Sequence, residues 1–166
     1  MSNNSLIIII FMLIMPVTAH GFQIEEFKSG MLKDQVREVL SNGAWKFDEV
    51  QDFAADTLIA YDLPEKNTFR QFVFSFCNDK LVGFEQEMKP SLKNFIVIAG
   101  NYNKSLGQPF KTEVSNNVIS IGEKSQLAMY WRKGSELVGL KYILLAPNEQ
   151  LIAVYETPNT CWQIPR

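Results

Sequence analysis

The chain has 166 residues, 16 basic and 18 acidic side chains, and a formal net charge of −2, so no basic excess marks a nucleic-acid or anionic-membrane surface. One histidine and two cysteines are too few ligands for a structural zinc site. A content of 46% hydrophobic and 12% aromatic residues forms cores and excludes disorder.

In chain order, Leu6 to Met15 is an uncharged run of ten apolar residues, followed by Pro16 and the small-residue pattern Val17-Thr18-Ala19. This pattern predicts a secretory signal peptide over residues 1–19, although the residues before the run carry no Lys or Arg. The run is shorter than the roughly 20 apolar residues that span a bilayer, so no integral membrane segment is expected after cleavage. Cleavage after Ala19 or after Gly21 both fit the small-residue rule, and they leave His20 or Phe22 first. A single imidazole at His20 is a poor basis for a metal site, because transition metals need several ligands. No cysteine lies just after the apolar run, where a lipoprotein signal needs one, and the first cysteine is Cys77. A free periplasmic or secreted form is therefore expected.

Phe27 to Gly43 has helical spacing, with Ser29 as a cap, Leu32, Val36, Val39 and Leu40 on one stripe, and Asn42-Gly43 as a stop. Ala44 to Val50 and Thr57 to Leu63 follow as strand candidates. Arg70 to Cys77 alternates, with Phe72, Phe74 and Phe76 on one face, and Asn78-Asp79 turns it into Lys80 to Met88. The two runs predict a hairpin whose phenylalanines, with Val82 and Phe84, face the core. Leu92 to Leu106 returns to helical spacing between Ser91 and Gly107. Strands are then expected over Phe110 to Ile121, broken at Asn116-Asn117, and over Ser125 to Lys133, Glu136 to Ala146 and Gln150 to Glu156.

The two halves repeat one order of parts. Leu58-Ile-Ala-Tyr-Asp62 resembles Leu127-Ala-Met-Tyr-Trp131, and Asn78-Asp-Lys-Leu-Val resembles Asn148-Glu-Gln-Leu-Ile. The offsets of about 65 to 70 residues suggest a duplicated unit. The expected organisation is a signal peptide (1–19), a first helix-plus-strands unit (20–89), a second (90–157) and a C-terminal tail (158–166). The expected fold class is α+β, with two related α-β-β-β units forming an antiparallel sheet whose helices pack on one face.

The segment from Lys28 to Gly43, followed by a strand and the Asn-Asp-Lys-Leu-Val hairpin, resembles the units of the outer-membrane assembly lipoproteins of SmpA/OmlA (BamE-like) type. It also resembles the tandem units of the beta-lactamase inhibitory proteins. The resemblance implies an α+β protein that binds another protein through its sheet face.

In an oxidising compartment Cys77 and Cys161 are candidates for a disulfide closing a loop of about 84 residues, with two buried thiols as the alternative. Without a usable histidine, Ser-His and Cys-His nucleophiles are not expected. Asp48, Glu49, Asp52 and Asp56, and the pair Glu85 and Glu87, read as solvated polar surface rather than a carboxylate pair or a calcium loop. No catalytic, cofactor or metal residues are assigned. Trp131, Tyr130, Arg132 and Trp162 are the candidates for partner contacts, since Trp, Tyr and Arg anchor interfaces, with a place in the cores as the alternative for the tryptophans. The expected function is a non-catalytic binding or accessory module for another envelope or secreted protein. The alternatives are a small apolar-ligand binder and, third, a carboxylate-dependent hydrolase.

Overall fold

A computed structural model describes residues 21–43, 45–63, 70–120 and 122–163. The expected signal peptide (residues 1–19) and His20 lie outside the described residues, as do Ala44, Pro64, Ile121 and the end of the tail.

The described chain opens with two short paired strands, β1 (Gln23–Ile24) and β2 (Phe27–Lys28). Helix α1 (Lys33–Asn42) follows, then β3 (Glu49–Ala54), β4 (Thr57–Tyr61), β5 (Gln71–Cys77) and β6 (Lys80–Met88). Helix α2 (Leu92–Leu106) leads into β7 (Lys111–Ile119), β8 (Gly122–Lys133), β9 (Glu136–Leu145) and β10 (Asn148–Glu156). The last eight strands form one antiparallel sheet in the order β3-β4-β5-β6-β10-β9-β8-β7. Each helix thus precedes a four-strand meander rather than a three-strand one. The second meander runs across the sheet in the reverse sense, so the closing strands β6 and β10 are neighbours.

Helix α1 is shorter than the spacing predicts. Gly30 takes φ of +86°, which ends any helical run through Ser29, and Phe27 leaves the helix to become a 1% exposed core side chain. The helix starts where the Gln35 side-chain oxygen accepts the Leu32 N–H at 2.8 Å. Helix α2 starts as expected, with Ser91 Oγ accepting the Asn94 N–H at 3.0 Å, and stops at Gly107, whose φ is +85°.

Register places Leu58, Phe74, Phe84, Tyr155, Val138 and Trp131 in one transverse line on the same side of the sheet. Both helices cover this side. Val36 and Leu40 of α1 pack on Leu58, Phe72, Phe74, Phe76 and Phe84. Phe95 and Ala99 of α2 pack on Trp131, Val138, Leu140 and Leu151. Phe27 plugs the first cluster, with ring centroids 4.8 Å from Phe74 and 5.6 Å from Phe84. Phe22 is also buried, against Tyr155, and both candidate cleavage sites would keep it in the core.

Two strands differ from the expected ones. Residues 45–48 are an extended loop rather than a strand, because Trp45 and Phe47 turn inward against Phe72, with centroids 4.9 and 4.8 Å away. The strand then begins at Glu49. Strand β7 continues unbroken through Asn116-Asn117, where each residue keeps its partner on β8. That costs little on an edge whose side chains reach water.

Candidate functional site

With both described helices on one side, no helix among the described residues covers the other side of the sheet. Eight strands about 4.8 Å apart make it about 34 Å wide. Strand alternation decides which side chains reach it. The register lines up Gln51, Ile59, Val73, Glu85, Val154, Gly139, Tyr130 and Lys111 across all eight strands. A neighbouring line runs Glu87, Ile152, Lys141, Ala128 and Glu113.

The face is apolar in its texture and acidic near its middle. Ile59, Val73 and Ile152 are half-buried although no helix covers them. Lys141 Nζ lies 3.2 Å from Glu85 Oε1 across the sheet. Burial pushes the Glu87 carboxyl above its ordinary range, opposed by a hydrogen bond from Gln150. Burial also raises Glu156, with Lys141 opposing and Glu85 adding to the shift.

Ala128, Tyr130 and Leu137 form a small buried cluster on this open side. Its cause is Gly139, directly opposite Tyr130. A Cβ at Gly139 would stand 3.2 Å from Tyr130 Cδ1 and 3.3 Å from Val154 Cβ, so the Tyr130 ring sits against the glycine in the space a side chain would fill. Burial, then the Glu113 carboxylate, pushes the Tyr130 phenol up to about 12.

The four aromatic and basic candidates do not form one patch. Trp131 is fully buried on the helix side, where its Nε1–H donates to Asn103 Oδ1 at 3.0 Å and Tyr102 meets its ring edge-on. Tyr130 is on the opposite side and 6% exposed. Arg132 is exposed, with its guanidinium 4.5 Å from the Phe110 ring centroid. Trp162 lies in the tail, half-buried, beside a disulfide between Cys77 and Cys161 whose Cα atoms are 5.8 Å apart. Thr157 N–H donates to Val82 O at 2.8 Å, and Asn159 Oδ1 accepts the N–H groups of Cys161 and Trp162. The tail is therefore fixed to the ends of β5 and β6.

The acidic residues between α1 and β4 each have a local partner. Asp52 bonds Lys33 and Arg37 of α1, which hold its carboxyl below the ordinary range. Asp48 accepts the Leu63 N–H, Glu49 accepts the Tyr61 hydroxyl and Asp56 accepts the Thr57 hydroxyl. Among the described residues no three His, Cys, Asp or Glu side chains are placed to hold a metal ion. An open hollow of about 820 Å3 beside α1 is lined by Asp34, Arg37, Glu38, Lys46 and Phe47, not by the phenylalanines of the core.

The sequence marked Glu85 and Glu87 as a polar sheet face, but not Glu156, Lys141 or Gly139. Those come together only through the β6–β10–β9 register. The one local signal was Gly139, since an isolated glycine inside a strand pattern points to close approach by a neighbour.

No family model matches the chain. Neither a curated protein nor a solved structure matches it.

Proposed function

We propose that the chain is an exported, non-catalytic binding or accessory module, and that it holds another envelope or secreted protein on the helix-free face of its sheet. The observation that carries this reading is the one-sided packing. Two helices cover one face, while Ile59, Val73 and Ile152 on the other keep partly exposed apolar surface with no described helix or strand over it. A sheet built only for stability would not need that surface, and apolar patches rimmed by charge mark docking sites. In this reading the two helix-plus-meander halves are related units, joined at β6 and β10 into one broad platform.

Export to an oxidising compartment agrees with the Cys77–Cys161 bridge and with the signal-like start of the sequence. The small-ligand alternative draws less support. The phenylalanine rings fill their own space, with Phe72, Phe74 and Phe84 centroids 5.2 to 6.2 Å apart.

The test is photo-crosslinking in the native host. A photoreactive residue at Ile59, Val73 or Ile152 is expected to give one discrete adduct with a second protein, and the same probe at exposed Ile96 on α2 is not. Adducts from Ile96 alone, or none from any face position, would refute the reading.

A further inference from the structure

The two edges of the sheet differ. Strand β3 carries Glu49 and Asp52, and its register shifts between Asp52 and Ala54, where Phe53 stands out. Charges and bulges are the usual means of keeping an edge from pairing. Strand β7 has neither over most of its length. Its register on β8 is regular from Lys111 to Ile119, it has no proline, and residues 114–119 carry no charge. On its helix side stand Val114 and Val118, 79% and 88% exposed. They are the two most exposed large apolar side chains among the described residues.

Their spacing is self-complementary. In an antiparallel pairing of β7 with a second β7, centred on Asn116, Val114 of each copy faces Val118 of the other. Ser115 then faces Asn117, Glu113 faces Ile119, and no like charges meet. Moving the centre to Ser115 sets each valine against Asn116 or Thr112 instead. Of these two registers the first alone pairs apolar with apolar at both ends, and cross-strand pairs decide sheet stability.

We propose that β7 is a homodimer edge, where two copies of this chain join antiparallel about Asn116 into one continuous sheet. The two-fold axis is perpendicular to the sheet, so all four α-helices lie on one side and the two helix-free faces become one. Such an isologous contact closes on itself and leaves only the two β3 edges, which are the blunted ones. The inference stands on the edge strand and does not depend on what the helix-free face binds.

Sedimentation of the purified protein from about 1 to about 300 μM is expected to show a reversible monomer–dimer equilibrium in the micromolar range, as suits a small interface. Val118→Lys is expected to weaken it at least tenfold with an unchanged circular dichroism spectrum. Asn116→Cys places two thiols opposite each other on the axis, within disulfide reach for directly paired strand residues. It is expected to give a covalent dimer on a non-reducing gel, whereas Gln51→Cys on β3 stays monomeric. A protein that remains monomeric at about 300 μM, oligomers larger than two, a dimer unaffected by Val118→Lys, or cross-linking at Gln51 rather than Asn116 would each overturn the proposal.

Discussion

The contact between Tyr130 and Gly139 makes a prediction whose sign depends on the structure. In an interior strand, replacing glycine by alanine ordinarily helps, by about 0.4–1 kcal/mol, because the unfolded chain has less freedom to lose. Here the new methyl would meet Tyr130 Cδ1 at 3.2 Å, Tyr130 Cε1 at 3.3 Å and Val154 Cβ at 3.3 Å. Comfortable carbon contacts lie at about 3.5–4.0 Å, so all three are too short. Val154 Cβ is tied to the backbone of β10 and cannot move away. The relief must come from the Tyr130 ring swinging outward. If that uncovers about a third of the ring's surface, the loss is about 1–2 kcal/mol at about 25 cal/mol per Å2. That agrees with the usual range for overpacking. Net of the chain-entropy gain, Gly139→Ala is expected to destabilise by about 1 kcal/mol and to lower Tm by about 2–4 °C. The assay is urea and thermal unfolding of a double-mutant cycle. In a Tyr130→Ala background both ring contacts are gone and only the Val154 contact remains, so Gly139→Ala should cost about 1 kcal/mol less than with Tyr130 present, which is the coupling the cycle reads. An equal effect in both backgrounds, or stabilisation with Tyr130 present, would refute the account of why a buried cluster exists on an uncovered sheet face.

Two further outcomes follow from buried charge. Asp62 is 1% exposed and held by Arg70 through bonds of 2.6 and 3.1 Å, while the guanidinium lies 5.0 Å from the Phe47 ring centroid and 5.9 Å from that of Trp45. Arg70→Ala strands the carboxylate and should cost roughly 2–4 kcal/mol, and Asp62→Asn in the same chain should recover part of it in urea unfolding; no loss would show that Asp62 finds water. Glu87 and Glu156 have carboxyls raised by burial, so the native state keeps their protons to higher pH than the unfolded chain. Their contribution is complete below the unfolded value of about 4.3 and is lost as pH rises through the native values. Glu87→Gln and Glu156→Gln should therefore gain on the parent between about pH 4 and pH 7 and converge with it in acid, and a difference that grows toward acid would contradict the cause assigned to the shifts.

What could be read in the sequence was what its local patterns determine. The β5–β6 hairpin was legible because Phe72, Phe74 and Phe76 alternate up to Asn78-Asp79, and both turn residues take positive φ, at 51° and 61°. Helix α2 was legible because a cap and a glycine stop bracket its apolar stripe. The start of α1 was not. Lys28-Ser-Gly-Met fits helical spacing as well as it fits the hairpin exit, and what decides between them is Phe27 docking among phenylalanines from β5 and β6, a nonlocal contact. Trp45 and Phe47 read as part of a strand for the same reason, since Arg70 and Phe72, which hold them, are more than twenty residues away in the chain. At the site, strand alternation puts Trp131 and Tyr130 on opposite sides of the sheet. It could not say that a helix would bury the one and a glycine would seat the other.

The junction of the two meanders also bears on function. Tyr155 of β10 stacks on Phe84 of β6, packs against both core clusters, and shares a 2.7 Å hydrogen bond between its hydroxyl and that of Tyr102 on α2. Burial raises both phenols, so the hydroxyls stay protonated and each can serve as the other's partner. The first cluster is thereby tied to the second helix through one side chain on the seam. A seam that could hinge would let the halves of the helix-free face move independently. With Tyr155 anchored beneath and the Lys141–Glu85 pair crossing from β9 to β6 above, the middle of that face is held from both sides of the sheet. If that face docks a partner as proposed, a surface held in this way would lose little conformational entropy on binding, and the buried tyrosine pair and the salt bridge on the open side would serve one purpose: to make two four-strand meanders present a single surface.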